Sequence, residues 1–440
     1  MDVLVMAGQL ILSLAILVTL HELGHFLAAR AFGIKVEKFY LFFDAWGFKL
    51  FSFKKGDTEY GIGWLPLGGY VKIAGMIDES LDTDHLKHDP EPWEFRAKPA
   101  WQRLIVMIGG VTVNAILGIL IFAFLAFGYG RESDPMEKAI HGIAALDLGR
   151  SVGFEDGDKI LEIDGKKVTT FREVTNPNHY LDGAVYTVER NGKRIDITLP
   201  KGFIDSMADN KNNFIAMRTK FTVDSVTKNG NQKTAALKRG DKIIEIYGKR
   251  VEYFHEFTKL VRNHPKHWAP LKVVRGNDTL LLVANIDNEG RIGLIPKTDL
   301  PDTVIVERFS FGQSFGVGYD LAAENLSLNV RFFGKIFQGE ADASKSLSGP
   351  VGIAQQFGSD WDWQRFWNLT GLLSVILAFM NLLPIPALDG GHVVFLLIEM
   401  ISGRPLPEKF LHVMQVIGMV ILLSLMVFIF GNDFYKIFTK

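Results

Sequence analysis

The chain has 440 residues, 48% of them hydrophobic, and a formal net charge of −1. That length accommodates two or three domains, and the near-neutral balance excludes the basic surface that nucleic-acid binding requires. There are no cysteines, which excludes a thiol nucleophile, a disulfide framework and a cysteine-ligated zinc site; any metal has to be held by histidines and carboxylates.

Apolar residues cluster at Val3–Leu20, Leu104–Tyr129, Leu369–Ile401 and Val413–Phe430. Each run is about long enough to cross ~30 Å of hydrocarbon as a helix. The first element, residues 1–33, is read as a transmembrane helix. It has no basic leader and no small-residue cleavage site, which argues against a signal peptide. Within it stands His21-Glu22-Leu23-Gly24-His25. Positions i and i+4 of a helix share a face, so His21 and His25 can bind one Zn2+. Glu22 is placed to take a proton from the attacking water and hand it to the leaving amine. The alternative is that the span stops at Leu20 and the motif is its polar end. Apolar sequence resumes at Phe26-Leu27-Ala28-Ala29 and argues against that. Ionisable groups inside a span cost ~2.5–3.5 kcal/mol each, which marks them as functional.

Residues 34–102 follow as a membrane-associated β region and loop. Phe48–Phe53 and Thr58–Leu65, joined by a Lys-Lys-Gly-Asp turn, predict a hairpin too aromatic for an ordinary loop, so it dips into the interface. "LPLGGYVKIAGM" (Leu65–Met76) reads as a Gly-rich turn and strand, and Asp78–Glu94 as a polar loop. Residues 103–130 form the second span. Its Gly109, Gly110 and Asn114 have two open readings. One is close helix packing with Asn as interhelical glue; the other gives Asn114 a developing oxyanion or a substrate carbonyl to stabilise.

The next stretch contains a repeat. Gly157–Val168, "GDKILEIDGKKV", matches Gly240–Val251, "GDKIIEIYGKRV", at nine of twelve positions with an offset of 83. Each copy predicts a Gly-Asp turn, strand, tight turn, strand, helix and hairpin, giving domains at 131–215 and 216–300. Residues 301–367 read as amphipathic pieces against the outer leaflet. The third span, 368–402, is broken by "NLLPIPALDGGH" (Asn381–His392). Irregular backbone at membrane depth is tolerated where it is buried in protein or lines a wet cavity. Asp389 is its one acidic group and is assigned as third zinc ligand, with His392 as rival. Residues 409–431 are the fourth span. Arg30, Lys35, Lys38, Lys98, Arg103, Arg404 and Lys409 place their span ends in the cytosol, against a weak opposing signal from Lys436 and Lys440. Both termini and the 129–368 stretch then lie outside.

These residues together resemble the site-2 protease family of intramembrane zinc metalloproteases, most closely its bacterial RseP branch. HELGH matches the family's HExxH, "NLLPIPALDGG" its NxxPxPxxDG, and "LPLGGYVK" its PLGGYV. "LSGPVGIA" (Leu347–Ala354) matches a motif before the third span. The repeats resemble the tandem PDZ domains of this branch, either peptide-binding or plain spacers. One departure is Val111, where the family often has proline in Gly-Pro-x-x-Asn; it weakens the carry-over for Asn114. The resemblance implies Zn2+ on His21, His25 and Asp389, Glu22 as catalytic base, and Asn381, Pro384, Pro386, Asn114, Gly68 and Gly69 at the substrate. The implied fold is an α-helical polytopic membrane protein of four transmembrane helices, with an interfacial β-hairpin or sheet and two extracytoplasmic α/β PDZ domains. The implied function is the second cut in regulated intramembrane proteolysis, after an upstream site-1 protease. The substrate would be a single-span membrane protein of anti-sigma factor type, or a remnant signal peptide, in the bacterial inner membrane, with the active site near the cytosolic side. The expected partners are that substrate, the upstream protease and the lipid bilayer, and no nucleic acid. Two rival classes are a metal-ion or proton membrane transporter, disfavoured by the lack of an inverted repeat of spans, and a non-catalytic membrane PDZ scaffold, which predicts no bound metal.

Overall fold

The apolar runs fold as helices. The computed structural model describes residues 2–66, 68–76, 89–209, 214–226, 237–300, 305–342 and 349–438. Most of the expected polar loop at 78–94, and Leu347 and Ser348 of the "LSGPVGIA" motif, lie outside the described residues. The chain divides into two compact units, residues 1–131 with 308–440, and residues 132–307.

In the first unit, α1 spans Asp2–Ala31 and α2 spans Ala100–Tyr129. Gly33, at φ +68°, turns the chain out of α1, and Gly130, at φ +76°, closes α2 by donating to the Ala126 carbonyl. Later come α3 (Phe311–Phe337), α4 (Pro350–Phe357), α5 (Trp363–Leu382), α6 (Asp389–Ser402) and α7 (Glu408–Phe438). Four of these helices are long and apolar enough to cross a membrane: Asp2–Ala31, Ala100–Tyr129, Trp363–Leu382 and Glu408–Asp433. Their outer faces keep apolar side chains uncovered, as at Phe124 (57% exposed) and Val427 (74%), which is what a lipid-facing helix requires. The expected break in the third run is the segment between α5 and α6, where Pro384 and Pro386 cannot continue a helix.

Small residues let these helices approach. A Cβ on Gly118 of α2 would lie 2.7 Å from Val375 of α5, and one on Gly318 of α3 would lie 2.5 Å from the Ile119 carbonyl of α2. Thus α3, from the stretch read as amphipathic, packs along α2. Ser310 and Gln313 form a capping box at its start. Polar side chains tie the bundle: Thr370 donates to Ser13, and Ser374 donates to the Asn114 carbonyl. Asp433 of α7 accepts from the backbone N–H groups of Gly349, Val351 and Gly352, capping the first turn of α4.

A four-stranded sheet sits between α1 and α2 in sequence. Its strands are β1 (Val36–Leu41), β2 (Lys49–Lys55), β3 (Thr58–Gly63) and β4 (Tyr70–Ile73), in the order β2-β3-β1-β4. The hairpin β2–β3 was legible; β1, which runs parallel to β3 and antiparallel to β4, was not. Ile34, Val36 and Ile73 join Ala29 of α1 and Val106 and Met107 of α2 in one apolar cluster. On the hairpin side, Trp46, Phe48, Leu50 and Phe51 are exposed.

The second unit repeats one topology. Its first module contains β5 (Ile143–Ala145), β6 (Lys159–Ile163), β7 (Lys166–Lys167), β8 (Val185–Arg190), β9 (Lys193–Thr198) and β10 (Ile215–Met217). The second contains β11 (Phe221–Val226), β12 (Lys242–Ile246), β13 (Lys249–Arg250), β14 (Trp268–Arg275), β15 (Asp278–Asn285) and β16 (Leu294–Thr298). Sheets β9-β8-β6-β7 and β15-β14-β12-β13 have the same order, and in each module the first strand pairs antiparallel with the last. Each has its own apolar core. The repeated Gly-Asp has a physical reason: Gly157 and Gly240 stand at φ +94° and +89°, and the next residue, Asp158 or Asp241, is buried in an ion pair with Arg190 or Arg275.

Candidate metal centre

Helix α1 buries the face that carries Gln9, Ser13, Leu17, His21 and His25, a four-residue spacing that stacks them along one side. This face meets α2 where that helix has no side chains. A Cβ on Gly24 would lie 2.4 Å from the Gly109 carbonyl oxygen, and one on Gly110 would lie 2.4 Å from His25 Nε2 and 2.6 Å from His21 Cε1. The glycines therefore open the room that two imidazoles occupy. The third donor comes from the break between α5 and α6. Ala387 turns at φ +75°, and Gly390 and Gly391 press against the Leu382, Leu383 and Ile385 carbonyls, so the loop folds back tightly on the start of α6. Asp389, the first residue of α6, then faces α1. Gly418 of α7 backs the loop at the Pro386 carbonyl, where no Cβ would fit.

His21 Nε2 lies 3.2 Å from Asp389 Oδ2, His25 Nε2 lies 3.3 Å from the same oxygen, and the two Nε2 atoms are 3.2 Å apart. Four ligands at ~2.0–2.1 Å around a tetrahedral zinc stand about 3.3 Å from one another, so the three donors match three corners of that shell. Asp389 Oδ2 is buried and has no hydrogen-bond partner among the described residues, which a carboxylate tolerates when it serves a cation. Among the described residues these three form the one group of three or more histidines and carboxylates with donor atoms all within 4.8 Å of one another. His392, the rival ligand, is not part of it.

The remaining expected residues fall into three places. Asn381, at the end of α5, sets its Nδ2 3.3 Å from His21 Nε2, on the side of the ring that faces the ion position. Asn114, fully buried in α2, sets its Nδ2 3.2 Å from His21 Nδ1, on the opposite side. Glu22 is half-buried beside His21, Pro384 is exposed and Pro386 half-buried in the loop. Gly68 and Gly69 lie just before β4: a Cβ on Gly68 would meet the Phe43 ring, and one on Gly69 the Tyr40 carbonyl and Val18, one turn of α1 before Glu22. Sequence reasoning missed the Val106 carbonyl, which lies 2.8 Å from His25 Nδ1. A backbone acceptor leaves no residue-type signal.

The pattern of peptidase family M50 matches residues 9–425. The chain belongs to this family. It is 29% identical to the regulator of sigma E protease of Haemophilus influenzae, over 98% of each chain. It is 27% identical to the regulator of sigma-E protease RseP of Escherichia coli, again over 98% of each. A relative from Neisseria meningitidis that bears a zinc metalloprotease name is 28% identical over 96% of this chain and 97% of its own. This M50 chain is thus a zinc metalloprotease of the site-2 type, a membrane protein by its four apolar helices, and the carrier and scaffold readings fall away.

Proposed function

We propose that this M50 protease is an intramembrane endopeptidase that hydrolyses peptide bonds in locally unwound transmembrane segments of single-span substrates. The observation that carries the reading is the position of the donor set. Gly110, which abuts both imidazoles, lies ~15 Å along α2 from Ala100 at 1.5 Å per residue, well inside a span and in the third nearer the basic ends at Arg30 and Arg103. Charge balance at those ends supports a cytosolic location for that third.

Zinc would be held by His21, His25 and Asp389, and would supply a Lewis acid that makes water nucleophilic at neutral pH. Glu22 takes the proton from the attacking water and returns it to the leaving amine. Asn381, on the donor side of His21, offers its amide to the substrate carbonyl as negative charge develops there. Pro384 and Pro386 keep the loop beside it irregular, which suits a wet cleft. A helical substrate hides its carbonyls in its own hydrogen bonds and has to be unwound first. An open sheet edge holds the unwound stretch as an added strand. The outer strands are β2 and β4, and β4 begins beside Val18, so it is the edge nearer Glu22.

The two repeated modules are read as tandem PDZ domains on the extracytoplasmic side of a bacterial inner membrane, together with both termini. The pairing of first with last strand in each module supports a permuted PDZ form. There they admit substrates already trimmed by a site-1 protease. The names of two relatives tie those proteins to the regulation of sigma E, which suits an anti-sigma factor type of substrate here, with remnant signal peptides as a second class. The test is metal analysis and cleavage of a transmembrane peptide, for the natural chain and Glu22→Gln side by side. Both bind zinc equally, and the variant cuts slower by about 10²–10⁴. Undiminished cleavage by Glu22→Gln refutes the assignment.

A further inference from the structure

We propose that Asn114 is a positioning residue that holds His21 in its zinc-binding tautomer, its Oδ1 accepting from the imidazole Nδ1–H. The inference rests on the reading of His21, His25 and Asp389 as the zinc ligands. A neutral imidazole that offers Nε2 to a cation carries its proton on Nδ1. At a buried site that N–H needs an acceptor, and the acceptor fixes both tautomer and ring orientation. His25 has one: its Nδ1 lies 2.8 Å from the Val106 carbonyl, which can only accept. His21 has Asn114 in the equivalent place. The side chain stands 3.2 Å from Nδ1, is fully buried, and has its Oδ1 without a hydrogen-bond partner among the described residues.

The two amide termini of Asn exchange by a half-turn of the last side-chain bond, with no change of shape. With Nδ2 toward the ring, Asn114 donates to a bare Nδ1, the tautomer that has its proton on Nε2 and cannot bind zinc. With Oδ1 toward the ring, it accepts from Nδ1–H and leaves the Nε2 lone pair facing Asp389 Oδ2 and His25 Nε2. The zinc-loaded protein therefore has Oδ1 turned inward, which also gives that buried oxygen its partner. Ser374 donates to the Asn114 backbone carbonyl at 2.7 Å and anchors this part of α2 to α5. A substrate or oxyanion contact belongs instead to the Nε2 side of the ring, where Asn381 stands.

The test is zinc affinity, by chelator competition on purified full-length protein, alongside peptide cleavage. Asn114→Leu keeps the size and removes the acceptor, and loses about 10–100-fold in zinc affinity. Asn114→Asp keeps an acceptor and holds zinc at least as tightly as the natural chain. Ser374→Ala, which loosens the helix contact only, leaves affinity unchanged. Should the Leu variant not fold, Asn114→Ala removes the same acceptor with the same expected loss. Natural affinity in the Leu or Ala variant overturns the proposal, and so does an Asp variant that loses as much as Leu. Loss of zinc in Asp389→Ala with no loss in the Asn114 variants would reject this role for Asn114 and keep the ligand set.

Discussion

Buried carboxylates in the two units of the molecule are treated in opposite ways. In residues 132–307, Asp158 accepts from Arg190 Nε and Nη2 at 2.7 Å each and from the Glu155 N–H at 2.9 Å. Asp241 repeats this with Arg275 at 2.7 and 2.8 Å and the Lys238 N–H at 2.8 Å. These sets are closed: a full countercharge and a backbone donor meet each carboxylate. In the membrane unit, Asp389 Oδ2 faces two imidazole nitrogens at 3.2 and 3.3 Å and has no hydrogen-bond partner among the described residues. On the proposed reading His21 and His25 bind as neutral imidazoles, which do not balance a carboxylate, and a cation completes the set. The difference separates a buried charge that stabilises a fold from one that prepares a reaction.

The comparison is sharpest at Asp389. Asp389→Ala removes bound zinc and reduces cleavage to background, by metal analysis and peptide assay, with the helix content of the protein kept. Zinc retained in full would mean that the open set is not the metal site. Deletion of residues 135–300 probes the other unit: zinc stays, and substrates that have not been trimmed are now cut. If all cutting stops, the repeated modules are not a gate. A smaller effect is expected from breaking a closed pair. Arg190→Met leaves Asp158 buried and unpaired, which costs about 3 kcal/mol of stability in thermal unfolding, with zinc content unchanged.

The second pair predicts a pH dependence. Burial pushes the Asp241 carboxyl up, but hydrogen bonds from Arg275 and the Lys238 N–H outweigh it and hold the group below the usual carboxylate range. A folded-state value that is lowered gives stability that is complete above the ordinary ~3.9 and is lost as pH falls through the lowered value. Arg275→Met therefore flattens the acid side of the stability profile, and an unchanged profile would deny the pair its part in acid unfolding. The smallest effect belongs to Asp433→Ala. It strips the cap from α4 and costs about 1 kcal/mol in thermal stability, with zinc binding unaffected. A loss of zinc there would extend the centre's support to the far end of α7.

Much of the architecture was legible because its signals are short-range. Long apolar runs, the i, i+4 spacing of His21 and His25, and the 83-residue repeat all sit in contiguous sequence. The strand β1 was missed because "VEKFYL" lacks clean alternation, and its pairing partner β3 is about twenty residues further on. The cap on α4 was missed because its acceptor, Asp433, is more than eighty residues away.

The sequence alone determined that this chain has several runs apolar enough to cross a membrane, that one of them carries two imidazoles on one helix face, and that another is broken around a carboxylate. Those properties follow from hydropathy and helical periodicity, which neighbouring residues set. Only the tertiary structure brought Asp389, and not His392, beside the two imidazoles, and set which side of His21 each asparagine faces. Donors on α1, α2, α5 and α6 share a point only once the helices pack. Their distances are fixed by backbone contacts at Gly24, Gly109, Gly110 and Gly390, which no local pattern encodes.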